Sequence, residues 1–121
     1  MSAYRLTIRR RGATERRRFD TLDQALTELE EQVRTLATGE RRGRERALAR
    51  EYEPIDLVAA RAEITGPRRL RGGVDLRGDG PAEAFTGRLR RRVVEQAPGE
   101  SASAALRRAL APDQASVSWE P

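Results

Sequence analysis

The chain has 121 residues and contains no histidine, cysteine, lysine or asparagine; arginine supplies all 24 basic side chains, against 19 acids, for a formal net charge of +5. These absences exclude disulfides and thiolate metal sites, and they remove most side chains that do acid–base, nucleophilic or Schiff-base chemistry near neutral pH. The length fits one domain, and a modest net charge combined with patterned apolar residues predicts a folded chain able to bury a core without staples.

Residues 4–10 alternate: Tyr4, Leu6 and Ile8 against Arg5, Thr7 and Arg9. That is the period of a strand with one buried face. Gly12-Ala13-Thr14 turns the chain, and residues 15–19 return to Phe19 as the second half of a β-hairpin. A helix is predicted from about residue 21 to 38. Asp20 or Thr21 caps it, Leu22, Ala25, Leu26, Leu29, Val33 and Leu36 form one apolar stripe, and Glu28, Glu30 and Glu31 mark an acidic opposite face. Gly39 is placed as the residue after its C-terminus.

Residues 40–46 are read as an exposed, charged connection and residues 47–53 as a strand in preference to a helical continuation, ended by Pro54. A meander follows. Val58, Ala60, Ala62 and Ile64 share one face; Gly66-Pro67 turns; Leu70, Gly72, Val74 and Leu76 share the next; Gly78-Asp79-Gly80-Pro81 turns again; and Phe85, Gly87, Leu89, Arg91 and Val93 form the inward set of a last strand. Ser101 or Ser103 caps a short helix running to about residue 110, which Pro112 ends. The expected architecture is a single α+β domain over residues 1–111. An antiparallel sheet, built from the N-terminal hairpin and the meander, is covered on one face by a long amphipathic helix, with a short C-terminal helix and a tail over residues 112–121.

Alternation also assigns the outward set: Arg5 and Arg9 on the first strand, Arg61, Arg71 and Arg77 on the meander, and Arg88, Arg90 and Arg92 on the last strand, with Glu63, Asp75 and Glu83 interspersed; Arg16 and Arg18, from the arginine run after the hairpin turn, join these as candidate nucleic-acid contacts. Such a face is either a plate for an anionic partner or a solvated surface laced with local ion pairs. Arginine without lysine is also what GC-rich codons produce whatever the function, so a pI near 11 does not by itself argue for nucleic acid. The acidic helix is a candidate internal partner for the six arginines flanking the hairpin turn.

Chemistry-bearing motifs are sparse. Asp75, Asp79 and Glu83 lack calcium-loop spacing, Arg71-Gly72-Gly73 is not followed by the lysine of a phosphate loop, and no base stands near Ser101 or Ser103. No catalytic residue, metal site or cofactor is assigned. Trp119, in the β-prone tail segment, is a candidate contact for a partner. The start of the chain has no apolar segment of a signal peptide, and Leu57-Val58-Ala59-Ala60, the longest apolar run, is too short to span a membrane, so a cytoplasmic location is expected. Two functional readings follow. The first is a non-catalytic protein-interaction module, with self-association into a homo-oligomer as one form of it; the alternative is an accessory protein that reads nucleic-acid backbone through the arginine-rich sheet face.

Overall fold

The computed structural model describes residues 2–10, 12–50, 58–77, 81–87 and 90–111, of which residues 39–50, 58 and 59 are described in backbone only. The elements are β1 (Tyr4–Arg10), β2 (Ala13–Phe19), α1 (Leu22–Arg50), β3 (Val58–Gly66), β4 (Leu70–Arg77), β5 (Ala82–Thr86), β6 (Arg92–Val94) and α2 (Ala102–Leu110). All six strands join one antiparallel sheet in the order β2-β1-β3-β4-β5-β6. The result is the single α+β domain expected from the alternation.

Leu6 and Ile8 of β1, Ala60, Ala62 and Ile64 of β3, Val74 and Leu76 of β4, and Ala84 of β5 point to one face and are buried there. Both helices cover that face. α1 packs on β3, β1, β2 and β4 through Ala25, Leu26, Leu29, Val33 and Leu36, while α2 packs on β5 and β4 through Ala102, Ala105 and Leu106. Each side chain removed from water contributes roughly 1–3 kcal/mol, which is what holds layer to layer. The two helices lie side by side, joined by Arg107 donating to Asp23 (2.5 Å) and to Thr27 (3.0 Å).

Caps fix where the helices start. Thr21 Oγ1 accepts from the Gln24 amide (3.1 Å), and Gln24 Oε1 accepts in return from the amides of Asp20 and Thr21 (3.2 Å each), a reciprocal box that satisfies otherwise orphaned donors. Of the two candidate caps, Thr21 is therefore the one that closes on the helix. Ser101 does the same for α2, accepting from Ala104 N at 3.1 Å.

Three sequence expectations are corrected. First, α1 does not stop at Gly39: it runs on through residues 40–50, so the exposed connection at 40–46 and the start of the strand at 47–53 are helix; residues 51–53 lie outside the described residues. Gly39 and Gly43 each cost about 1 kcal/mol relative to alanine, yet they sit among arginine, glutamate, alanine and leucine, all good helix formers. Second, the last predicted strand is two strands. The chain leaves β5 at Gly87, whose φ of +108° favours glycine, and β6 folds back against β5. Third, the face assignment in this region is inverted. Ala82 and Ala84 point to the helices, so Phe85 and Val93 point away, and Arg92, paired with Thr86 and through it with Gly72, lies on the helix side.

Candidate functional site

The face of the sheet opposite the helices has no layer over it among the described residues. Cross-strand register arranges its side chains in rungs. One rung reads Arg18, Arg5, Thr65, Arg71; the next Arg16, Thr7, Glu63, Gly73, Phe85, Val93; the third Thr14, Arg9, Arg61, Asp75, Glu83. Arg77 lies two residues beyond Asp75 on the same face. Seven of the ten arginines singled out from sequence, Arg5, Arg9, Arg16, Arg18, Arg61, Arg71 and Arg77, thus share this surface. Arg90 is exposed in a bend outside any strand, Arg92 is on the other face, and Arg88 and Trp119 lie outside the described residues.

The meander half of this surface is organised around a buried acid. Asp75 is 0% exposed, and its carboxylate accepts from Arg61 Nε at 2.6 Å and from the Arg91 guanidinium. Both cations also stand over the ring of Phe85, with Arg91 Cζ at 4.3 Å and Arg61 Cζ at 5.3 Å from its centroid. Burial, followed by repulsion from Arg61, pushes the Arg91 guanidinium down from its ordinary range. Alternation alone places Arg91 inward. Its role here follows from the reversal at Gly87, which carries it back over β5 and β4.

Phe85 is buried (2% exposed) without belonging to the core between sheet and helices. Its ring covers Gly73, directly opposite on β4: a Cβ there would lie 2.9 Å from Phe85 Cζ and 2.4 Å from the carbonyl oxygen of Ala62. The paired glycines in a strand were the available sequence signal for such a close approach. Around this centre Arg71 pairs with Glu63 (2.9 Å) and Arg77 with Glu83 (3.6 Å). Every acid of the meander half is therefore matched locally, with four arginines against three acids and one positive charge in excess.

The hairpin half is different. Its outer side chains are Arg5, Thr7, Arg9, Thr14, Arg16 and Arg18. Among the described residues no carboxylate is within ion-pair distance of Arg5, Arg9, Arg16 or Arg18. The acidic start of the helix shares a groove with Arg18 but forms no ion pair with these four. Arg17, on the helix side of β2, takes Glu15 and Glu28, and Asp23 is held by Arg107. Like charges even face each other, since Arg5 is the register partner of Arg18 and Arg9 that of Arg61.

Comparison with protein-family models, with curated proteins and with solved structures returns no match. The surface is thus read on its chemistry alone. Among the described residues no group of three histidine, cysteine, aspartate or glutamate side chains is placed to hold a metal ion, and no helix is long and apolar enough to cross a membrane. An open groove of about 490 Å³ runs between the end of β2 and the start of α1, lined by Arg18, Asp20, Asp23 and Glu28 among others. Asp23 and Glu28 in it are already engaged by arginine.

Proposed function

We propose that the protein is a non-catalytic interaction module that docks an anionic partner on the uncovered face of its sheet. The observation that carries this reading is the set of four outer-face arginines on β1 and β2 with no acid in ion-pair distance among the described residues, beside a meander half where each acid is matched. Like charges directly across a sheet are unfavourable by a few tenths of a kcal/mol or more, and an external anion offsets that cost. The composition supports a non-catalytic role, since the chain has no histidine, cysteine or lysine and the outer-face carboxylates are committed to guanidinium groups.

Retention on immobilised heparin tests it. Arg16→Glu and Arg34→Glu change net charge equally, but Arg34 lies on α1, paired with Glu31, away from the outer face. Arg16→Glu is expected to elute at clearly lower salt and Arg34→Glu close to the parent; equal losses would refute a localised surface.

One observation favours a second reading, self-association. Among the described residues the sheet ends on open edges, β2 and β6, and β6 carries the one exposed large apolar side chain, Val93 at 57%. A monomeric mass by sedimentation at high micromolar concentration would remove it.

A further inference from the structure

We infer that the anionic partner is the phosphodiester backbone of duplex nucleic acid, and that its footprint is confined to the hairpin half, on Arg5, Arg9, Arg16 and Arg18. This rests on the reading of the outer face as an anion-docking surface and names what docks there.

Three features select the partner. The first is extent. Arg5 and Arg9 are four residues apart on β1, about 13 Å along the strand, and Arg16 and Arg18 are about 7 Å apart on its neighbour. One small anion cannot bridge that span on an open sheet, whereas about 13 Å of duplex axis carries about eight phosphate charges. The second is the lack of an apolar anchor. The outer side chains of β1 and β2 are four arginines and two threonines. Protein interfaces bury an apolar or aromatic centre, but nucleic-acid interfaces are polar and strongly cationic. An acidic protein surface would find charge here and nothing to pack on.

The third feature separates duplex from single strand. Single strands are held by bases stacking on exposed aromatic rings. Phe85 is the one aromatic side chain on the outer face among the described residues, and it is buried beneath Arg61 and Arg91. Among the described residues no ring on this face is open to a base, so contact there is restricted to the backbone. The meander half is excluded from the footprint because an approaching phosphate would compete there with Asp75, Glu63 and Glu83 for guanidinium groups already held.

The test is fluorescence anisotropy of a short labelled DNA duplex and of one of its strands alone, across a range of salt. Four phosphate contacts predict a log–log slope of affinity on salt of about −3.6, or about a 150-fold loss for a fourfold rise in salt. Arg16→Ala and Arg5→Ala are each expected to flatten the slope by about 0.9, and Arg77→Ala to leave it unchanged. All three side chains lie on the outer face, and thermal melts establish that each variant is folded. The single strand is expected to bind more weakly than the duplex. A single strand bound as tightly as the duplex, or a slope that responds to Arg77→Ala but not to Arg16→Ala, would overturn the inference. Heparin retention without duplex binding overturns it too, leaving the anion-docking surface standing; loss of both removes the surface as well.

Discussion

At the scale of single residues, Asp75 organises the outer face. A carboxylate with no solvent exposure is stable only with its charge matched, and Arg61 and Arg91 match it. Asp75→Asn keeps the shape and removes the charge, leaving two half-buried guanidinium groups facing each other over Phe85. A loss of about 2–3 kcal/mol in urea denaturation is expected, less than for a wholly buried pair because both arginines touch water. The sequence placed Asp75 on the correct face. It could not show the burial, which depends on Arg91 returning from beyond Gly87. Glu100 is the residue with the clearest pH signature. Its carboxylate accepts from Arg108 Nε (3.0 Å) and Nη2 (2.9 Å) and from the Ala97 amide (2.9 Å), and these bonds hold its pKa at about 2, below the ordinary 4.5. A depressed folded-state pKa stabilises above the ordinary value and is lost as pH falls toward the folded one. The melting temperatures of the parent and Glu100→Gln should therefore differ near neutrality and converge as pH drops from 4.5 to about 2. A constant gap over that window would show that the clamp does not form.

At the scale of elements, alternation made β1 to β4 legible. Leu6 and Ile8, Ala62 and Ile64, and Val74 and Leu76 define one face without ambiguity, and the arginines between them follow to the other. It failed at β5, where Phe85, Gly87, Leu89, Arg91 and Val93 continue a period of two straight through a chain reversal. The end of α1 was hidden for the opposite reason: two glycines mimic a stop inside a sequence of strong helix formers. The β3–β4 hairpin carries strain that the sequence did not advertise. Arg68 and Arg69 both adopt left-handed backbone, φ 59° and 61°, across a tight turn closed by Leu70 N donating to Pro67 O at 3.2 Å. That conformation suits Asn-Gly and is unfavourable for two arginines. Replacing Arg68→Asn together with Arg69→Gly is expected to raise stability by about 1 kcal/mol, read as a higher urea midpoint with unchanged slope. A lower midpoint would contradict the turn geometry.

At the scale of the whole molecule, the sheet separates two kinds of chemistry. The helices bury its apolar face; the other face is divided along the boundary between β1 and β3 into an unmatched hairpin half and a matched meander half. That Arg5, Arg9, Arg61, Arg71 and Arg77 would share a surface was readable from odd–even spacing, and the hairpin register adds Arg16 and Arg18 to it. Which of them keep their charge unmatched was not, because pairing depends on register: the turn at 67–69 sets Arg61 opposite Asp75, and nothing comparable sets an acid opposite Arg16 or Arg18. The division of this face is the central claim, and nuclear magnetic resonance of the arginine Nε–Hε groups during titration with a short DNA duplex tests it most directly. Signals from Arg5, Arg9, Arg16 and Arg18 are predicted to shift while those of Arg61, Arg71 and Arg91 stay in place. Shifts spread evenly over both halves, or confined to Arg61, Arg71 and Arg91, would contradict it.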